Sequence, residues 1–167
     1  PVLTLRELES TVPLAELLIE NGFPILEVAL RTDIALTSIK LISKSIPEVI
    51  VGAGTICSPA HLQSAINSGA DFGVSPGATG HMYQAVMKSA LPFLPGVITP
   101  TEVLVAKEFG FRMCKVFPSE ESGGIDVLRI YADVFPDVTF CPTGGINEKN
   151  LVEYLSLGNV SAVAGSW

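Results

Sequence analysis

Positive charge is scarce in this sequence. Ten lysines and arginines stand against 17 aspartates and glutamates, for a net charge of −7. That balance argues against nucleic acid as the main partner, and any anionic ligand has to be held by local donors. No uninterrupted apolar run approaches the ~18 residues of a membrane-spanning helix, so no membrane partner is expected. A basic leader followed by an apolar core and a cleavage site is also missing, and no secretory signal is read here. There are only three cysteines, Cys57, Cys114 and Cys141, odd in number, widely spaced, and two of them in apolar runs. The pattern fits a reduced interior and a cytoplasmic protein. His61 follows Cys57 by four positions, but a structural metal site needs more ligands than that, so no metal is expected. Low-complexity tracts and linkers are absent too, which leaves one domain over 1–167 with room for a sizeable core.

What is present is apolar and rhythmic. Hydrophobic residues make up 48% of the chain and the mean hydropathy is +0.47, values that suit strands covered on both faces. Strand-like segments near 1–5, 25–30, 49–51, 71–74, 91–94, 112–117, 138–141 and 160–164 alternate with helix-like ones. Ser58-Pro59 is a good cap and first-turn pair for the third helix, and Gly22 ends the first. Eight strands and seven helices in strict alternation demand a parallel sheet with right-handed crossovers. The expected architecture is α/β, a (β/α)8 TIM barrel. The chain stops where an eighth helix should begin and nothing precedes the first strand, so flanking terminal helices are expected to lie outside it.

One stretch organises the rest: Arg112-Met113-Cys114-Lys115-Val116-Phe117-Pro118. Alternation along a strand puts Met113, Lys115 and Phe117 on one face. The other five lysines fall in polar, helix-like or loop contexts. Only Lys115 sits inside an apolar strand, where burying an ammonium is expensive and the neutral amine, a nucleophile, is favoured. It reads as a Schiff-base lysine. Phe117 and Pro118 would wall the imine against water.

The remaining unusual residues gather at strand carboxyl ends, which form the active face of a barrel. In Glu27-Val28-Ala29-Leu30-Arg31, alternation puts Glu27, Ala29 and Arg31 on one face. Glu27 can shuttle protons and Arg31 can grip a substrate carboxylate, although two such groups could equally form a structural ion pair. Gly52-Ala53-Gly54-Thr55 lets backbone approach a ligand, with Thr55 as a hydroxyl donor. Ser75-Pro76-Gly77 and Pro95-Gly96 are ordinary turn chemistry on their own. Thr143-Gly144-Gly145 and Gly165-Ser166 end the last two strands, where barrels often hold phosphate on backbone N–H groups.

Taken together these segments resemble the 2-keto-3-deoxy-6-phosphogluconate (KDPG) and 4-hydroxy-2-oxoglutarate (KHG) aldolase family, over the whole chain and in family order. The resemblance implies a metal-free class I aldolase without a cofactor. It would cleave KDPG into pyruvate and glyceraldehyde 3-phosphate, with KHG, cut into pyruvate and glyoxylate, as a second substrate. It implies Lys115 as the imine-forming residue and Glu27 as the acid–base residue. Arg31 and Thr55 would hold the pyruvate part, with Pro76 and Phe117 also lining the substrate. Thr143, Gly144, Gly145, Gly165 and Ser166 would take the phosphate end. The family's members are usually cytoplasmic homotrimers. Four positions depart from the pattern: Ala29, Ile98, Val116 and Ala164. None removes a reacting group, but Ala29 and Ile98 bear on substrate preference. Two rival readings remain at this stage, a 2-dehydro-3-deoxy-6-phosphogalactonate aldolase and a phosphosugar-binding barrel without lyase activity.

Overall fold

A computed structural model describes all 167 residues. The chain divides into two compact units, Pro1–Ser75 with Gln84–Phe93, and Pro76–Tyr83 with Leu94–Trp167.

The first unit is built on parallel strands β1 (Val2–Leu3), β2 (Ile25–Ala29), β3 (Ile50–Gly54) and β4 (Phe72–Val74), with β5 (Phe93–Leu94) at the edge. Helices α1 (Thr11–Glu20), α2 (Ala35–Ser45) and α3 (Pro59–Asn67) connect the first four strands in order. After their first residue β2 and β3 are buried throughout, as near-continuous apolar runs require when helices leave neither face to water. Their register pairs Glu27 with Gly52 and Ala29 with Gly54. A buried Thr11–Ser38 hydroxyl pair at 3.2 Å satisfies two polar groups where α1 meets α2. As the sequence predicts, Ser58 caps α3, its Oγ accepting from the His61 N–H with Pro59 in the first turn.

The second unit carries β6 (Gly96–Val97), β7 (Met113–Val116) and β8 (Thr139–Pro142), all parallel and adjacent in that order. Between them run α5 (Pro100–Glu108) and α6 (Gly124–Val134), and α7 (Leu151–Leu155) follows β8. The helix α4 (Gly80–Lys88) precedes β5 in the chain. Tyr83, Val103, Cys114, Leu128, Phe140 and Tyr154 are among the side chains of this unit's core. Tyr83 stacks on Phe109 with ring centroids 4.8 Å apart. Ile98 packs against the same core, so this departure from the family pattern is accommodated as a core contact.

The seven expected helices are present, and there are eight strands, though not the expected eight. Pro95 has no N–H to give a ladder, and the strand anticipated at 91–94 becomes β5 and β6 on either side of it. The Pro95 carbonyl is used, accepting from Lys115 N–H at 2.8 Å. The segment anticipated as strand 160–164 makes only two isolated bridges, Phe140 with Val160 and Thr143 with Ala164. The pairing starts normally, with Phe140 N–H on Asn159 and Ser161 N–H on Phe140. Pro142 cannot donate the next bond, and the register slips by one residue before Ala164 N–H reaches the Pro142 carbonyl at 3.1 Å.

Candidate active site

In the first unit Glu27 is 7% exposed, on the face of β2 that sequence alternation assigned to it. Its carboxylate lies over Gly54 on the next strand, where any Cβ would overlap Oε1. A glycine at 54 is therefore what admits the acid to this position, a close-approach role. Arg31 lies just past the end of β2 and is exposed. Its Nε donates to Thr55 Oγ1 at 3.2 Å, which leaves the two terminal nitrogens for a fork onto a carboxylate. Thr55 holds a left-handed backbone, φ 60, rare for a β-branched residue and worth notice next to a candidate site. Glu27, Arg31 and Thr55 thus belong to two neighbouring strand ends of one unit. The Cys57 N–H donates to His61 Nδ1 at 3.4 Å.

In the second unit Lys115 is 4% exposed in the middle of β7, paired in register with Gly96 on one side and Cys141 on the other. Its Nζ lies 5.0 Å from the centroid of the Phe117 ring, on the same strand face as alternation requires. Of the six lysines it is the one the fold buries. Gly96 is itself crowded: a Cβ there would overlap the Pro76 carbonyl, so the turn at Pro76 is pressed against the strand beside Lys115. Pro76 and Lys115 are thereby brought to the same neighbourhood. The Phe117–Pro118 bond is cis.

The loops after β8 and at 164–166 come together through the Thr143–Ala164 bridge. Gly144 at φ 93 and Gly145 at φ 75 form a consecutive left-handed pair that only glycines adopt readily. Ser119 and Glu120 N–H groups donate to the Thr143 and Gly144 carbonyls at 2.8 and 3.2 Å. A trans peptide is planar and its N–H points opposite its C=O. The Gly144 and Gly145 N–H groups therefore face away from 119–120, as two successive backbone donors. Thr143 is buried and its hydroxyl turns back to the Cys141 carbonyl at 3.3 Å. Gly165 is covered by the Trp167 ring, and Ser166 is exposed.

Sequence reasoning missed two residues beside this loop. Tyr154, fully buried on α7, donates to the carboxylate of Glu120, which lies across Gly145. Burial, then the Glu120 hydrogen bond, push its phenol up to about 12. A tyrosine at an apolar helical position reads as ordinary core, and a glutamate in a Gly-containing loop reads as solvated, so neither residue carries a local signal.

Residues 1–167 match the family model described as KDPG and KHG aldolase. The KHG/KDPG aldolase of Escherichia coli K12 is 41% identical over the whole of this chain and 78% of its own length. A crystal structure of KDPG aldolase from Legionella pneumophila, holding pyruvate as a covalent carbinolamine, superposes with a TM-score of 0.98 at 43% identity. It is covered over 81% of its length by all of this chain. The KDPG aldolase of Zymomonas mobilis with 3-phosphoglycerate gives 0.97 at 39% identity, covering 100% of this chain and 79% of that one. The fold is the α/β, TIM-barrel type of these structures.

Proposed function

The chain belongs to the KDPG and KHG aldolase family, and from that premise we propose that it is a class I aldolase acting on 2-keto-3-deoxy-6-phosphogluconate, and on 4-hydroxy-2-oxoglutarate as a second substrate. The Lys115 amine adds to the C2 ketone, and the carbinolamine loses water to give a protonated imine. Glu27, directly or through a water, takes the proton from the C4 hydroxyl. The C3–C4 bond breaks, its electron pair moves into the iminium, and the aldehyde leaves. The resulting enamine takes a proton at C3, and hydrolysis returns pyruvate and the free amine.

The other roles follow the chemistry of each group. The Arg31 fork, steadied by Thr55, holds the C1 carboxylate next to the imine. Pro76 and Phe117 line the pyruvyl part and limit water. The Gly144 and Gly145 N–H groups, with Gly165 and Ser166, take the phosphate of the sugar acid; Thr143, expected among these donors, instead gives its hydroxyl to the Cys141 carbonyl and its N–H to the Val116 carbonyl, and so braces the loop. The protein is proposed to work as a single 1–167 domain, in the cytoplasm, as a homotrimer. Sedimentation at micromolar concentration should give three times the protomer mass; a monomer there would remove the trimer.

What carries the reading is a lysine buried on β7 against an aromatic ring in a chain that matches this family from end to end. The test is direct. Pyruvate with borohydride should attach a reduced pyruvyl group to Lys115, seen by peptide mass spectrometry. A different labelled lysine, or none, ends the proposal.

A further inference from the structure

The Gly144-Gly145 turn rests on three side chains that the reaction above does not use. Ser119 Oγ donates to Tyr154 Oη at 3.3 Å, and Tyr154 Oη donates to Glu120 Oε1. Glu120 in turn crosses Gly145 so closely that a Cβ at 145 would overlap its Cβ and Cγ. Gly124, at φ 55, faces the same two oxygens, with a Cβ position 3.1 Å from Tyr154 Oη and 3.2 Å from Glu120 Oε1. Glu120 is exposed on its outer side. An exposed glutamate needs no hydroxyl partner for its own sake, since water solvates it as well. A carboxylate beside an anion site also opposes the anion through its charge. Its position makes sense if the order it confers on the loop outweighs that repulsion.

We propose that Glu120 and Tyr154 are positioning residues for phosphate recognition, fixing the Gly144-Gly145 peptide groups so that both N–H groups meet the phosphate together. Tyr154 is anchored in the core and cannot drift. Glu120 links it to the loop twice, by its side chain over Gly145 and by its N–H on the Gly144 carbonyl. With the link cut, the left-handed pair loses its lid and samples other conformations, and the anion has to order it on binding. The inference rests on the assignment of phosphate to this loop.

The probes are inorganic phosphate as an inhibitor and the two substrates, one phosphorylated and one not. Tyr154→Phe and Glu120→Ala should each raise KM for KDPG and the inhibition constant of phosphate roughly 10-fold, the scale of one lost organising hydrogen bond. KM and kcat for KHG should stay within about two-fold. Glu120→Gln keeps the acceptor and the stem over Gly145 while removing the charge, so it should bind phosphate as well as the parent or better. Equal losses on both substrates, or no loss in either variant, overturn the proposal. Should Tyr154→Phe fold poorly, the surface pair Glu120→Ala and Glu120→Gln gives the same discrimination. A parent enzyme insensitive to phosphate and indifferent to the phosphate on its substrate would refute the loop assignment itself. Ordinary phosphate inhibition unchanged in every variant refutes the positioning role alone.

Discussion

Glu27 and Gly54 form one chemical unit, because the carboxylate occupies the volume that any side chain at 54 would fill. Glu27→Gln keeps that fit and removes the proton acceptor. Imine trapping at Lys115 should persist while cleavage slows roughly 10²-fold or more, the usual scale for a lost general acid–base; an unaltered cleavage rate would show the role misassigned. Gly54→Ala attacks the same acid sterically. The added methyl displaces the carboxylate at about 1–3 kcal/mol of overpacking. Cleavage should fall more than the unfolding midpoint does, and the ratio of trapping to turnover reads the difference. At this scale the sequence was informative for Lys115 and Glu27, since a charged group in an apolar strand is conspicuous by itself; Arg31, expected on the same strand face, lies past the strand's end and is exposed. The sequence was silent on Glu120 and Tyr154, whose meaning depends on a contact 34 residues apart in the chain.

Elements are set by short-range rules, and α5 shows how. Thr99 and Glu102 make a complete capping box around Pro100, with Glu102 Oε2 accepting from the Thr99 and Ile98 N–H groups at 2.8 Å each. Burial alone would raise the Glu102 carboxyl, but the hydrogen bonds from Thr99 and Ile98 outweigh it and hold the group below its usual value. The unfolded chain therefore binds this proton at higher pH than the folded one. The box stabilises fully above the ordinary carboxylate range, and its contribution fades as the pH falls through the lowered value. In urea at neutral pH, Thr99→Ala should lose about 1 kcal/mol, the cost of a missing N-cap. A Glu102→Gln deficit should shrink steadily on acidification; a deficit constant with pH would remove the linkage. Pro100 sits in the first turn of α5, where a missing N–H goes unclaimed. The sequence did not reveal that Pro95 and Pro142 would divide or shift the strands, because a missing N–H matters only where a neighbouring carbonyl is waiting for it.

For the molecule as a whole, alkali is the more searching stress. Burial pushes Cys114 up to about 12, and Tyr83 and Tyr154 also to about 12. Neighbouring Cys114 and Glu102 charges add to the Tyr83 shift, and Glu120 adds to that of Tyr154. The unfolded chain would release these protons near the ordinary values of 9.0 for the thiol and 10.0 for the phenols. Stability is thus undiminished below those values and lost as the pH climbs toward the folded ones, by up to about 1.4 kcal/mol per pH unit for each group. The thermal midpoint should hold to about pH 9 and then fall steeply; a flat midpoint to pH 11 would mean these side chains reach solvent before unfolding.

The sequence by itself determined the βα order, the buried lysine and the acid two strands into the chain. Each of these follows from burial acting on neighbouring residues through the alternation of a strand or the turn of a helix. Only the tertiary structure decided that Gly54 yields its volume to Glu27 and that Tyr154 reaches Glu120 across Gly145. Those are relations between segments far apart in the chain, fixed by packing and by which carbonyls and hydroxyls are left to pair, and no local pattern encodes them.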